Sequence, residues 1–208
     1  MKRLLHIIAT PRAEESHTLK VSNVFLGEVK RKYPACFIDE LNVTTEDLPA
    51  LTVRVVSGKY VLLGGKELTD KLKDAWNPVI RHIERFLSAD AYLISTPMWN
   101  FHIPYPLKQY IDIIVQPKYL FRYTATGVEG LVKNKKMVVI SSRGGDYSPA
   151  TPSHSYDFQE PYLRAIFGFV GITDINFVNL QPADMGPELL QKRLEEAESS
   201  VLKIVESF

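Results

Sequence analysis

The segment AYLISTPMWNFHIPYPLKQYID, residues 91–112, contains an apolar run, an irregular loop and a helical pattern in direct succession. Ala91–Ser95 is short and apolar, as expected for a buried strand. The loop PMWNF, residues 97–101, is too irregular for a strand, and its proline makes a poor helix start. Leu107–Val115 then shows helical spacing. The segment therefore predicts a strand, a loop and a helix, with large aromatic surface on the loop, which favours a flat partner.

The same unit recurs along the whole chain. The predicted strands are Leu4–Ala9, Cys36–Leu41, Ala91–Ser95, Met137–Ser141 and Thr173–Leu180. Helical patterns lie between and after them: from Ser16 with Val21, Phe25 and Val29, then Glu67–Leu87, Leu107–Val115, Phe158–Phe169 and Pro187–Glu206. This alternation predicts an α/β fold, a doubly wound five-stranded parallel sheet with helices on both faces. Residues 42–66 and 116–135 are predicted as a long irregular insertion and an aromatic-rich loop.

Length and composition limit the classes of function. The 208 residues suit a single domain spanning 1–208, and the net charge of +1 favours neither nucleic acid nor an anionic membrane. One cysteine, Cys36, excludes an intrachain disulfide and is expected in the core. The start MKRLLHIIATPRAEE is expected to be a strand rather than a signal peptide, and no apolar segment is long enough to cross a bilayer. These observations predict a cytoplasmic protein.

Three unusual loops follow three of the predicted strands. They are Thr10–Thr18, residues 97–101, and Ser142–Gly145 with Tyr147 beyond it. In open parallel sheets, ligands bind outside the carboxyl ends of the strands. The three loops are therefore expected at one edge of the sheet, around one ligand.

The loop TPRAEESHT, residues 10–18, carries hydroxyls at Thr10, Ser16 and Thr18 before a predicted helix. A helix N-terminus presents free N–H groups and a partial positive charge, which suit a phosphate. The alternative is that Ser16 or Thr18 only caps the helix.

The other two loops fit a flat ring. Trp99 would stack on a heterocycle and Asn100 would bond its polar edge, the alternative being a hydrophobic plug. Gly144 and Gly145 would let the backbone approach a ligand closely, or they form an ordinary turn. Arg143 would either contact the ligand or form a local salt bridge.

Together the loops fit a mononucleotide with a large flat ring, the shape of flavin mononucleotide (FMN). No GxGxxG follows a strand, so no dedicated dinucleotide fold is indicated. The five histidines show no metal-ligand spacing.

At this point the motifs themselves are recognisable. The segments PMWNFHIPYPLKQYID, FRYTATGVEGLVKNKKMVVISSRGGDYS and DFQEPYLRAIFGFVGITD, with Ser16-His17-Thr18, occur in order over nearly the whole chain. The chain resembles the FMN-dependent NADH-azoreductases, also called FMN-dependent NADH:quinone oxidoreductases. The resemblance implies a flavodoxin-like fold, FMN as cofactor, NADH or NADPH as transient donor, and a homodimer with two sites at the subunit interface.

The resemblance also implies site residues. Thr10 and Ser16–Thr18 would hold the phosphate, Met98–Phe101 would contact the isoalloxazine, and Ser142–Gly145 would bind its pyrimidine side. The predicted cofactor-binding set is Thr10, Ser16, His17, Thr18, Pro97, Met98, Trp99, Asn100, Phe101, Ser142, Arg143, Gly144, Gly145 and Tyr147. The predicted substrate-pocket set is His102, Phe121 and Tyr123. His102 stands where the family pattern has glycine, and Thr10 and Thr18 stand where serine is more usual.

The predicted mechanism assigns the chemistry to the cofactor and needs no essential catalytic side chain. NADH and an acceptor would use one pocket in turn, giving ping-pong reduction of quinones by two electrons and reductive cleavage of azo compounds. Two other classes stay open: a flavodoxin-like FMN electron carrier, and a flavin-free binding or regulatory module.

Overall fold

The computed structural model describes residues 1–208 and contains the predicted five-stranded parallel sheet, in the order β2-β1-β3-β6-β7. The strands are β1 Arg3–Ile8, β2 Phe37–Asn42, β3 Ala91–Pro97, β4 Phe121–Thr124, β5 Gly127–Gly130, β6 Lys136–Ser142 and β7 Asp174–Leu180. The five predicted strands agree with the observed sheet strands to within two residues at each end. The inner strands β1, β3 and β6 were predictable because each is a short, largely apolar run buried on both faces, whereas the edge strands β2 and β7 are partly exposed and include polar residues.

Helices cover both faces of the sheet, as predicted. They are α1 His17–Lys32, α2 Val53–Leu63, α3 Asp70–Leu87, α4 Tyr105–Ile114, α5 Gln159–Val170 and α6 Pro187–Ser207. Helices α1 and α6 close one core, in which Phe25 and Val201 are fully buried. Helices α3, α4 and α5 close the other core around Trp76 and Phe86. No helix is both long enough and apolar enough to cross a membrane.

The strand order reverses direction at β1. This strand pairs with β2 on one side and with β3 on the other, so the chain winds outward from it in both directions. At such a switch point, the connections after two adjacent strands turn to opposite faces of the sheet and leave a crevice at the carboxyl ends. The crevice here lies beyond Ile8 and Pro97, where two of the predicted loops begin.

The prediction that residues 42–66 lack regular structure was wrong, because they include α2. Its sequence VRVVSGKYVLL is rich in β-branched residues and carries a glycine, both poor helix formers. Tertiary packing against Trp76 stabilises the helix despite this low helix propensity. A Cβ atom on Gly58 would lie 2.0 Å from Nε1 of Trp76, and that nitrogen donates a hydrogen bond to the Val55 carbonyl at 3.0 Å.

The prediction of a loop over 116–135 was also wrong in part. The strands β4 and β5 form an antiparallel hairpin with the two-residue connection Ala125-Thr126. The strands are short, and their side chains are mostly exposed, so no apolar alternation marks them. The hairpin is held where Gly130 packs against the backbone of Val170 and Gly171, an approach that only glycine permits.

Candidate functional site

A cavity of about 180 Å³ occupies the crevice at the switch point. All three predicted loops line it, together with a fourth segment after β7. The lining residues are Thr10, Pro11, Arg12, Ser16, His17, Pro97, Met98, Trp99, Ser142, Arg143, Gly144, Ala183 and Asp184. Nine of the fourteen predicted cofactor-binding residues are thus brought together in one wall. The other five, Thr18, Asn100, Phe101, Gly145 and Tyr147, lie in the same loops but outside this lining.

The first loop delivers the start of α1 to the cavity. Ser16 is the N-cap, since its Oγ accepts a hydrogen bond from the Leu19 N–H at 3.4 Å. Thr10 Oγ1 lies 3.2 Å from the same Oγ, and both side chains are buried. Ser16 therefore caps the helix, and the capped helix still presents its first N–H groups, which have no intrahelical acceptor, at the cavity. Whether Ser16 also binds a phosphate stays a prediction.

Thr18 lies beneath the cavity. Its side chain is fully buried, and its Oγ1 donates to Ser142 Oγ at 2.9 Å. Ser142 in turn accepts a hydrogen bond from the Met98 N–H through its carbonyl oxygen. Thr18 therefore joins the first loop to the third, and Ser142 joins the third to the second.

Charged side chains of both signs face the cavity. Arg12 and His17 stand on the first loop, and Asp184 stands opposite them after β7. Burial, aided by the positive charges of Lys20 and Arg12, lowers the pKa of His17. Its Nδ1 is buried and has no hydrogen-bond partner in the protein.

The second loop forms a tight turn. Trp99 and His102 exchange two backbone hydrogen bonds of 2.8 and 2.9 Å, and the two central residues, Asn100 and Phe101, both have positive φ. Asparagine tolerates this conformation, whereas phenylalanine rarely adopts it, so the turn is strained. The N–H groups of Asn100 and Phe101 donate to no group of the protein.

Aromatic packing holds the strained turn in place. The Phe101 ring stacks on Tyr156 with centroids 5.2 Å apart and meets the edge of Tyr147 at 6.3 Å. The Phe101 carbonyl also accepts the Phe158 N–H. Trp99 and Phe101 nevertheless stay 39% and 44% exposed. The turn therefore presents a fixed, partly open aromatic surface beside the cavity.

The third loop approaches the fourth segment closely. A Cβ atom on Gly144 would lie 2.5 Å from Oδ2 of Asp184, and the Gly144 carbonyl accepts the Asp184 N–H at 3.3 Å. The N–H groups of Gly144 and Gly145 donate to no group of the protein. Sequence reasoning missed Ala183 and Asp184, although the end of the fifth predicted strand at Leu180 was the signal that could have located them.

Arg143 has the local salt bridge that the sequence left as an alternative to a ligand contact. Its side chain is 1% exposed, its Nη1 donates to Asp157 Oδ2 at 2.8 Å, and its Nε lies 3.1 Å from Gln159 Oε1. Burial lowers the pKa of Arg143, and the charges of Asp157 and Glu160 oppose that shift. The guanidinium fixes the third loop to the start of α5.

None of the three predicted substrate-pocket residues lines this cavity, and only Phe121 and Tyr123 contact each other, with ring centroids 5.8 Å apart. His102 lines a neighbouring opening that it shares with Trp99 and Asn100. Its Nδ1 accepts the Ile103 N–H at 2.8 Å, and burial together with the charge of Lys108 lowers its pKa. Phe121 is buried against Phe169, while Tyr123 is mostly exposed on the β4–β5 hairpin. Neither of the hairpin residues lines the cavity of its own chain.

Comparison with known proteins agrees with this architecture. A family model described as flavodoxin-like fold matches residues 2–205. The chain is 40% identical over 198 residues to an FMN-dependent NADH:quinone oxidoreductase of Nitratidesulfovibrio vulgaris, covering 95% of each protein. It is 37% identical to an enzyme of the same name from Nostoc punctiforme, covering 97% of each.

Solved structures agree as well. An azoreductase from Bacillus anthracis str. Sterne superposes with a TM-score of 0.90 at 28% identity over the full length of both chains. An FMN-dependent NADH-azoreductase from Bacillus anthracis str. Ames Ancestor, solved in complex with FMN, gives 0.85 at 30% identity, covering 99% of this chain and 100% of that one.

The fold and the crevice thus define a flavodoxin-like α/β protein with its site at the carboxyl edge of the sheet. Within that class, the chain belongs to the FMN-dependent NADH:quinone oxidoreductase family and is an oxidoreductase. The family resemblance seen in the sequence motifs is confirmed.

Proposed function

We propose that this protein binds FMN in the switch-point cavity and uses NADH or NADPH to reduce quinones by two electrons and to cleave aromatic azo compounds. One observation carries the proposal: the crevice combines a helix N-terminus, a partly open tryptophan and unpartnered glycine N–H groups in one wall. These three features together suit a mononucleotide with a flat ring.

The residues fit the phosphate of FMN. The start of α1 offers free N–H groups and the positive end of the helix dipole. Arg12 and His17 stand at the same end of the cavity. Thr10 and Ser16 supply hydroxyls, and Thr18 supports the loop from below through Ser142.

The residues also fit the ring. Pro97, Met98 and Trp99 would contact the isoalloxazine, with the N–H groups of Asn100 and Phe101 available at its polar atoms. The N–H groups of Gly144 and Gly145 would donate to its pyrimidine side. These preorganised donors stabilise negative charge where it develops, which is how backbone N–H groups promote such reactions.

FMN would supply the redox chemistry itself, by taking hydride from the nicotinamide and delivering two electrons to the acceptor. The protein would bind FMN, orient the donor and the acceptor against it, and shield the reacting atoms from water. Phe101, held between Tyr147 and Tyr156, would form an aromatic wall against which planar donors and acceptors lie. His102, Phe121 and Tyr123 stay predictions as substrate-pocket residues.

Donor and acceptor would occupy the same open pocket in turn. The absence of a dinucleotide fingerprint supports this, since a nicotinamide that only visits needs no dedicated site. Initial rates measured at several quinone concentrations should give parallel double-reciprocal lines against NADH. Intersecting lines would show that both substrates bind together and would rule out the ping-pong scheme.

The proposed assembly is a homodimer. An apolar groove of about 380 Å³ runs between α2, α4 and α5 and is lined by Leu51, Val55, Val56, Tyr60, Leu63, Ile111, Val115 and Ile166. Leu51 also lines the opening that contains Trp99 and His102, so the groove continues to the rim of the cavity. A second copy seated there would cover apolar surface and place the two sites at the interface, as the family resemblance implies.

The first experiment is a visible absorption spectrum of the purified protein, followed by anaerobic NADH and then a quinone. We expect a flavin spectrum that bleaches with NADH and recovers with the quinone. A flavin that ignores both NADH and NADPH would favour the electron carrier instead. A protein that stays colourless after incubation with FMN would overturn the proposal.

A further inference from the structure

A buried positive charge lies behind the third loop. Arg143 is the only residue that lines both the switch-point cavity and another opening of about 390 Å³, which contains Asp157 and Glu160. Its side chain is 1% exposed, and a guanidinium stays charged in proteins. A buried charge is stable only with partners, so the groups around Arg143 determine how much of its charge is compensated.

Asp157 is the main counter-charge of Arg143. Nη1 of the guanidinium donates to Asp157 Oδ2 at 2.8 Å, and the Asp157 side chain is only 5% exposed. Nε donates to the uncharged Gln159 Oε1 at 3.1 Å. Glu160 lies farther away, 3.9 Å from Nη2, and forms its closer ion pair with Arg164 at 2.7 Å. The Arg143–Asp157 pair is therefore close to neutral as a unit and closed to solvent.

Gln159 connects the same guanidinium to the second loop. Its Nε2 donates to the Pro97 carbonyl at 2.8 Å, and its side chain is fully buried. The neighbouring Phe158 N–H donates to the Phe101 carbonyl at 3.1 Å. The segment Asp157–Gln159 thus contacts the second and third loops, although none of its residues lines the cavity. Any effect of this segment on a bound ring must pass through those loops and the buried charge.

We propose that Asp157 and Gln159 are positioning residues that set the reduction potential of bound FMN through the charge of Arg143. In the proposed function, on which this inference rests, Gly144 and Gly145 face the pyrimidine side of the ring. Arg143 directly precedes these glycines, so its charge lies behind that side. Two electrons and one proton leave the reduced ring with one negative charge, which a nearby positive charge stabilises. Asp157 opposes this stabilisation by compensating the guanidinium.

Burial makes the charges of this pair effective over a distance. Charges closed to water are screened much less by solvent and salt than charges at the surface. At an effective dielectric constant of about 20, one unit charge acting over about 10 Å changes an equilibrium by about 10-fold. For a two-electron couple, a 10-fold change corresponds to about 30 mV. A change of one unit charge beside Arg143 should shift the potential of bound FMN by about this amount.

The test is the midpoint potential of FMN bound to the complete protein, measured anaerobically against a reference dye. Asp157→Asn removes the counter-charge but keeps an oxygen for the N–H groups of Gln159 and Glu160 at the start of α5. It should raise the potential by about 30 mV. Gln159→Glu keeps an acceptor for Arg143 and adds a negative charge, so it should lower the potential by about the same amount. Opposite signs indicate a charge effect, since loosened packing alone would move both variants in the same direction.

Two further variants are the controls. Gln159→Met removes both side-chain hydrogen bonds without adding a charge, and it should shift the potential less than Gln159→Glu does. Glu206→Gln removes an exposed carboxylate near the end of α6. This end lies at the opposite edge of the sheet, where Lys136 at the start of β6 donates to the Ser207 carbonyl. Glu206→Gln should therefore leave the potential unchanged.

The assignment to Arg143 is wrong if Asp157→Asn and Gln159→Glu leave the potential unchanged or shift it in the same direction. It is also wrong if Gln159→Met lowers the potential as much as Gln159→Glu. If Asp157→Asn does not fold, the comparison of the two Gln159 variants decides. A wild-type protein that binds no FMN would overturn the proposed function and this inference with it, whereas bound FMN with unchanged potentials would overturn this inference alone.

Discussion

At the scale of single residues, the close approach of Gly144 to Asp184 decides the shape of the cavity. The Gly144→Ala substitution would place Cβ 2.5 Å from a carboxylate oxygen and push the third loop or Asp184 aside. We expect FMN affinity to fall by about 10-fold, in line with overpacking costs of 1–3 kcal/mol. Flavin fluorescence titration of the apoprotein measures this.

Gly145→Ala is the control for that substitution. Its Cβ would meet Tyr147 at 3.5 Å, an ordinary van der Waals distance, and neither glycine has a positive φ. FMN affinity should therefore change little. If both variants lost affinity equally, flexibility of the loop would explain the loss better than contact with Asp184.

The pKa of His6 predicts a pH dependence of stability. Its folded value of about 4 lies below the usual 6.5, so between these limits the unfolded chain binds more protons than the folded one. The stability that depends on a neutral His6 is complete above pH 6.5 and is lost as the pH falls toward 4. The loss amounts to about 3 kcal/mol from this residue.

Urea denaturation of the protein and of His6→Gln across this pH range isolates the contribution. The pKa of His17, His82 and His102 is also lowered, so both proteins should lose stability on acidification. Between pH 6.5 and 4, the unfolding free energy of the His6→Gln variant should fall by about 3 kcal/mol less than that of the unsubstituted protein. Parallel profiles would mean that His6 is protonated equally in both states.

At the scale of elements, α2 depends on Gly58 more than on helix propensity. Replacing an exposed helical glycine by alanine normally stabilises a helix by about 1 kcal/mol. At Gly58 the added Cβ would collide with the buried Trp76 ring at 2.0 Å and break the hydrogen bond from its Nε1 to Val55. We expect Gly58→Ala to destabilise the protein by about 1–3 kcal/mol or more in chemical denaturation.

Gly27→Ala supplies the opposite case. Gly27 is exposed within α1, and a Cβ there would meet no atom within 4 Å. The same substitution should therefore raise the unfolding free energy by about 1 kcal/mol. A loss of stability in both variants would argue against the Trp76 contact as the cause in α2.

The elements also show what the sequence could and could not predict. The inner strands β1, β3 and β6 were predictable because burial on both faces makes them largely apolar, and the partly exposed edge strands β2 and β7 still keep several apolar residues. Helix α2 was not, because its β-branched residues and Gly58 suit a helix only against Trp76, a contact far away in sequence. The β4–β5 hairpin was not predictable because most of its side chains are exposed, so its sequence shows no alternation of apolar and polar residues.

The candidate site divides in the same way. Loops rich in hydroxyls, aromatics or glycines were visible in the sequence, and the structure brings all three to one cavity. Ala183 and Asp184 were missed because neither residue type marks a site by itself. They line the cavity only because they follow β7, whose carboxyl end lies at the same edge of the sheet. The sequence also gave no sign of the buried hydrogen bonds that run from His6 on β1 through Ser95 on β3 to Ser22 and the Thr18 carbonyl on α1, because they join three elements that are distant along the chain.

At the scale of the whole molecule, helix α2 carries exposed apolar side chains beside the apolar groove. Val53, Val56 and Tyr60 of α2 are 83%, 40% and 69% exposed, beside the groove that continues toward Trp99. Burial of a patch of this kind is the usual driving force for association. Sedimentation velocity at micromolar concentration should therefore find a dimer, and Tyr60→Asp should weaken it by about 100-fold, as expected for an aromatic residue at the centre of an interface.

Leu202→Asp makes a comparable change on α6, which covers the opposite face of the sheet, where Leu202 is 44% exposed. It should leave the dimer intact. Because the groove reaches the rim of the cavity through Leu51, the Tyr60→Asp monomer should also lose quinone reduction while retaining its far-UV circular dichroism. An active monomer would show that each chain holds a complete site. A wild-type monomer would mean that another partner covers this face.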